Sequence, residues 1–234
     1  MIFSYHSHIG TTFPTLYTGL VFLRDVPDQL DLNSTVECLQ NDALASLTDG
    51  PESDMPAIKA WRAAFSTMNL KPTQYRCASE ALLRRLRTQG SLPSLNPVVD
   101  VCNAVSAAHG IPVAAFDLSG IVGNLTVRPA IGDETYLTFG GSTETPNPGE
   151  IIFRDDAGGA HARRWTNRQS AASAISTSSR KALLVIEGLH DEAESDVLAA
   201  RDNLADTLKD AGAIVRSDLL RGGKGRFQTE EPHP

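Results

Sequence analysis

The sequence predicts an α+β fold in which mixed β-sheets are flanked by helices. Three observations carry that expectation. Apolar residues at helical spacing dominate positions 54–109, short β-like segments broken by Gly, Pro and Asn turns fill 112–154, and an apolar strand followed by an amphipathic helix occupies 182–212.

Residues 13–25 place Leu16, Leu20, Val21, Phe22 and Leu23 ahead of Val26-Pro27-Asp28, an early strand closed by a turn. Asp54 to Asn69 sets Ile58, Trp61, Ala64, Phe65 and Met68 on one helical face, which should be buried. After the break at Lys71-Pro72-Thr73, Ala78 to Gln89 turns Ala81, Leu82 and Leu86 inward and its arginines outward, with Gly90 as the stop. The helix from Leu95 to His109 starts near Asn96, an N-cap residue, with Pro97 in its first turn, and Asp100 and Asn103 share a face. Strands follow at Pro112 to Asp117, Asn124 to Pro129, Thr135 to Phe139 and Glu150 to Arg154. Ala182 to Glu187 is an apolar strand ending in a carboxylate. The helix from Glu192 to Gly212 has Val197, Leu198, Leu204 and Leu208 as core positions, and Ile214 to Arg216 adds an edge strand. From Arg221 to Pro234 there is little to bury, so residues 1–220 are expected to form one domain and 221–234 a flexible tail.

Composition narrows the function classes. The longest apolar runs, such as Ile111 to Phe116, fall far short of the roughly 20 residues of a membrane span, and the start lacks a secretory pattern, so a cytoplasmic location without membrane partners is expected. Cys38, Cys77 and Cys102 are odd in number and widely spaced, and the six histidines have no zinc-ligand spacing; neither disulfides, a metal nor another cofactor is expected. A net charge of −7 offers no global attraction for a polyanion. No DNA partner is expected, and any nucleic-acid contact must use local clusters such as Arg84-Arg85-Leu86-Arg87 or Arg163-Arg164-Trp165 with Arg168.

Asn96, Asp100 and Asn103 lie within an otherwise apolar run, where each buried polar group costs about 1–3 kcal/mol unless hydrogen-bonded. The run Asn96-Pro97-Val98-Val99-Asp100-Val101-Cys102-Asn103, leading through Gly110-Ile111-Pro112 to Phe116-Asp117, resembles the B3/B4 domain of the phenylalanyl-tRNA synthetase beta subunit, the module carrying the editing site. Ala60-Trp61-Arg62, Ser79 to Arg85, Gly140-Gly141, Pro148-Gly149-Glu150, Asp155-Asp156, Arg163-Arg164-Trp165 and Val185-Ile186-Glu187-Gly188 extend the resemblance in order over more than half the chain, as in stand-alone B3/B4 proteins.

The resemblance implies a free-standing protein that hydrolyses the ester of a mischarged aminoacyl-tRNA, with an aminoacyl-tRNA 3′ end or an amino acid as partner and a synthetase as a possible supplier. It places Glu187 and Asn103 in catalytic positions and Asn96, Asp100, Cys102, Ala114, Arg163, Arg164, Trp165 and Arg168 around the substrate. Ala114 stands where the editing module has a His, and Cys102 replaces a Thr. A non-catalytic aminoacyl-tRNA or amino-acid binding module, or a divergent biosynthetic enzyme using aminoacyl-tRNA, are the alternatives. The residues alone leave roles open. Arg163-Arg164-Trp165 serves either as a stacking and anion-binding wall or as a core tryptophan with arginines paired to Asp155, Asp156 or Glu187. Asp100 and Asn103 either line a pocket or satisfy backbone near the helix start, and Cys102 is either a small hydrophobe or a thiol in need of a base.

Overall fold

Helices start and stop where the side chains require it. The computed structural model describes residues 1–27 and 29–229. α3 (Pro56–Thr67) and α5 (Pro97–His109) both open on proline, whose missing N–H would be unpaired there anyway. Asn96 caps α5, its side chain accepting from the Val98 N–H at 3.0 Å. α4 (Ala78–Gln89) ends at Gly90, whose φ of 77° is the left-handed conformation that closes a helix. α6 (Ala193–Asp210) completes the predicted helices. α1 (Ser7–Thr12) and α2 (Asn33–Ser46) were not expected; α2 buries only Leu39 and Ala43, too little for a clear apolar stripe.

Two main sheets form the frame. The six-stranded sheet runs β12 (Arg226–Gln228), β1 (Ile2–Tyr5), β4 (Leu125–Pro129), β7 (Ile151–Asp155), β8 (Ala160–Arg163) and β9 (Arg168–Gln169). Its β1–β4 pair is parallel and the rest antiparallel, which makes the sheet mixed. The four-stranded sheet runs β11 (Ile214–Arg221), β2 (Tyr17–Arg24), β10 (Lys181–Gly188) and β3 (Val113–Asp117). A short hairpin joins β5 (Tyr136–Leu137) to β6 (Thr143–Glu144). The sheets and helices together are the α+β arrangement expected.

From Ala182 to Ile186 β10 is wholly apolar because both of its faces are covered. Leu183 and Val185 enter a core shared with Phe3, Val127 and Phe153 of the six-stranded sheet and with Trp61 and Phe65 of α3. Ala182, Leu184 and Ile186 enter a second core, against Val101 and Val105 of α5 and Val197 and Leu204 of α6. Successive strand residues point to opposite faces, so Glu187 follows Leu183 and Val185 toward the inter-sheet side.

The C-terminal segment corrects the expected tail. β11 runs the length of β2, and β12 pairs antiparallel with β1, bringing Phe227 opposite Phe3. Phe227 is buried, and that apolar anchor gives the segment the burial that its Gly-, Lys- and Arg-rich approach hides in the sequence. The last part of the expected tail, 230–234, lies outside the described residues. Among those residues no helix is long and apolar enough to cross a membrane.

Candidate functional site

Glu187 reaches the inter-sheet core one residue before the end of β10, and it is buried. Two donors converge on its Oε1: the Tyr5 hydroxyl at 2.6 Å and the Trp165 indole N–H at 2.8 Å. Tyr5 also lies 2.7 Å from the Thr18 hydroxyl. Because Tyr5 donates to the carboxylate, Thr18 is the donor of that second bond, giving a relay from Thr18 through Tyr5 to Glu187. The Trp61 indole N–H donates to the Glu187 carbonyl at 3.2 Å. Burial pushes the Glu187 carboxyl up to about 7, while the bonds from Tyr5 and Trp165 pull it down. Burial, with the Glu187 charge beside it, holds Tyr5 well above its ordinary value, so it stays a hydroxyl donor.

The carboxyl lines a cavity of about 70 Å³, walled by Pro112, Val113, Ala114, Val185, Phe153, Ala162 and Ala78 and closed by the run Trp165 to Gln169. That volume exceeds the minimum for one water several-fold. Ala114 lies opposite Val185 in the β3–β10 register, which places the small side chain on this wall. The Thr166 hydroxyl is buried at the same wall with no hydrogen-bond partner among the described residues. The Gln169 amide donates to the Ala115 carbonyl and ties this wall to β3.

The turn carrying Arg164 and Trp165 is strained and clamped. Both residues are left-handed, with φ of 48° and 57°, a conformation that costs a non-glycine residue roughly 1–2 kcal/mol. Glu150 holds the turn: it accepts from Arg163 Nε and Nη2, each at 2.8 Å, and from the Arg164 backbone N–H at 3.1 Å. Glu144 takes a further bond from Arg163 and is also hydrogen-bonded by the Arg168 guanidinium. The buried indole of Trp165 packs edge-on against Trp61 at 5.0 Å and Phe13 at 4.9 Å. Burying that ring offsets the backbone strain and aims its N–H at Glu187. Trp165 is therefore both core and cavity wall, so the two readings of it meet in one residue.

The expected site residues fall into two groups. Glu187, Ala114, Trp165 and Arg168 come together around the cavity. Asn96, Asp100, Cys102 and Asn103 do not. α5 covers the opposite face of the four-stranded sheet, so its residues are separated from Glu187 by the sheet itself. Asn96 is a helix cap. Asp100 accepts from Leu95 N–H and Ser94 Oγ, both at 2.8 Å, fixing the approach to α5. Asn103, expected as catalytic, borders a separate outer cleft with Gln40 and Asn41 of α2. Cys102 is buried in the outer core, where burial pushes its thiol up to about 12. Arg163 is a buried clamp on Glu144 and Glu150 rather than a cavity residue, and Arg164 lies outside the wall, its guanidinium 4.7 Å from the Tyr75 ring centroid. Sequence reasoning missed Tyr5, which belongs to a strand without a readable period, and it also missed Thr166 and Gln169, whose nearness to Trp165 was the available signal.

The chain belongs to the B3/4 domain family, whose model matches residues 60–203. Relatives with curated sequences are beta subunits of phenylalanine–tRNA ligase. The Chromobacterium violaceum subunit is 35% identical over 77 residues, which is 33% of this chain and 10% of that subunit. The Photorhabdus laumondii subunit is 24% identical over 144 residues, 56% of this chain and 18% of that subunit. The chain thus spans less than a fifth of the length of these relatives. Among solved structures, an N-terminal fragment of the phenylalanyl-tRNA synthetase beta subunit from Pyrococcus horikoshii superposes with a TM-score of 0.52 over 92% of this chain and 50% of that one, at 10% identity, a likeness of fold alone.

Proposed function

We propose that this protein hydrolyses the aminoacyl ester of a mischarged tRNA, as a free-standing editing factor. The observation that carries the reading is a carboxyl, Glu187, at a small apolar cavity, with its donors confined to one oxygen and its pKa pushed up to about 7 by burial. A carboxyl poised near the working pH is suited to general acid–base work. Kinship with the beta subunits of a tRNA ligase supports the choice of substrate class.

Oε2, which takes neither the Tyr5 nor the Trp165 bond, is the oxygen assigned to substrate. The ionised carboxylate takes a proton from water as the water oxygen bonds to the ester carbonyl carbon. The resulting tetrahedral intermediate then breaks its bond to the ribose oxygen, which receives the proton back from the Glu187 carboxylic acid. The products are a free amino acid and a free ribose hydroxyl. Thr166 supplies a hydrogen-bond donor at the wall, and the cavity limits the side chain admitted.

Ala114 favours a second reading, a module that binds the charged end without turnover, since a methyl group at this wall neither donates a hydrogen bond nor orients water. The test is a panel of tRNAs charged with radiolabelled cognate and non-cognate amino acids, incubated with wild type and Glu187→Gln. Release from at least one mischarged tRNA, reduced about 10²-fold or more in the variant, supports hydrolysis. Decay of the whole panel at spontaneous rates, together with a higher melting temperature in the presence of charged tRNA, supports the binding module instead.

A further inference from the structure

Two arginines that the proposed hydrolysis does not use, Arg164 and Arg76, belong to segments that border the cavity. The loop before α4 and the turn after β8 meet there: Asn167 donates to the Arg76 carbonyl at 2.8 Å, and both Asn167 and Ala78 line the cavity. Arg164 lies over the Tyr75 ring at 4.7 Å. Its neighbours on the turn are committed to carboxylates, Arg163 to Glu144 and Glu150 and Arg168 to Glu144, whereas the Arg164 guanidinium makes no ion pair among the described residues. Arg76 is also underused. It sits 3.5 Å from Glu80, whose Oε1 already accepts two bonds from Arg62, and its Nε has no hydrogen-bond partner among the described residues.

We infer that Arg164, spread on Tyr75, and Arg76 form a phosphate subsite for the RNA backbone one linkage away from the nucleoside whose ester enters the cavity. The inference rests on the reading above and names how the polyanion is held. A planar guanidinium fixed on an aromatic ring presents its donors to phosphate oxygens with little entropy left to lose, and it keeps its stacking face on the ring. The strained backbone of the turn gains a purpose, because the left-handed Arg164 and Trp165 send one side chain onto the Tyr75 ring and the other into the core. A chain of net charge −7 needs a local contact of this kind to hold RNA at all.

The test is fluorescence anisotropy with a labelled single-stranded RNA trinucleotide, CCA, which carries internal phosphates, alongside calorimetry with adenosine, which carries none. Wild type, Arg164→Ala, Tyr75→Leu and Arg76→Gln are compared after circular dichroism confirms folding. The subsite predicts that Arg164→Ala weakens the trinucleotide about tenfold, with a penalty several-fold larger than for adenosine. It also predicts that the slope of log affinity against log salt falls by about 0.7 for each phosphate contact removed. Tyr75→Leu and Arg76→Gln, which leave the left-handed turn intact, should show smaller losses in the same direction. Equal penalties on trinucleotide and adenosine, an unchanged salt slope, or no binding of the trinucleotide by wild type would overturn the subsite. If no charged tRNA is hydrolysed while the trinucleotide binds with these dependences, the subsite stands and the hydrolytic reading falls.

Discussion

Glu187 is the residue on which chemistry and stability meet. The unfolded chain ionises this carboxyl near 4.5, and the folded protein holds the proton to about 7. The folded state therefore binds one more proton between those values, and stability falls as pH rises from about 4.5 to about 7, then levels off. Glu187→Gln keeps an acceptor for Tyr5 and Trp165 and removes the ionisation. Denaturant unfolding at high and low pH should find the variant gaining on wild type by about 3 kcal/mol between pH 5 and pH 8; a constant difference would mean that the carboxyl is not held protonated. The cysteines give a second residue-scale expectation. Burial raises Cys77 to about 11 and Cys102 to about 12, while Cys38 is exposed. A thiol reagent should label Cys38 alone in the native protein and all three cysteines after denaturation, and fast native labelling of Cys102 would contradict its place in the outer core. The sequence marked Glu187 as the carboxylate closing an apolar strand. It could not mark Tyr5, whose partner lies 182 residues away.

At the scale of elements, period-two alternation along β10 decides which residues share the site. Glu187 follows the odd-numbered residues into the inter-sheet core, and α5 packs on the even-numbered ones. The polar series on α5 was legible as a motif, yet its side of the sheet was not, because sidedness depends on pairings between β10, β2 and β3 that join distant parts of the chain. The same reason hid β8, β9 and β12, which are short and owe their existence to a neighbouring strand. The predicted ends of α4 and α5 were readable because Gly90, Asn96 and Pro97 act locally. For β12, Phe227→Ala should cost about 3–5 kcal/mol, as for other buried aromatic truncations, and be read as a lower unfolding midpoint. A loss under about 0.5 kcal/mol, the size of an ordinary surface substitution, would show that the segment does not contribute to the fold.

Across the whole molecule, family and architecture were legible because the motifs from Ala60 to Gly188 occur in order along the chain, and the matched family segment 60–203 spans all of that region. The site was legible in part. The sequence singled out Glu187, Ala114, Trp165 and Arg168, which meet at one cavity, and grouped with them three α5 residues and the α5 cap Asn96, which lie on the other side of the four-stranded sheet. A net charge of −7 offers a polyanion no global attraction, so the proposed RNA contact depends on local groups such as Arg164 over Tyr75. The central claim is that the Glu187 carboxylate performs ester hydrolysis at this cavity. Its most direct test is the rate of amino-acid release from mischarged tRNA, measured with wild type and Glu187→Gln from about pH 5.5 to about pH 8.5, corrected for spontaneous decay. The account predicts a wild-type rate that climbs with pH and levels off above about 7, and a variant that stays near background throughout. A variant as fast as wild type, or a wild-type rate that shows no rise through that range, would contradict it.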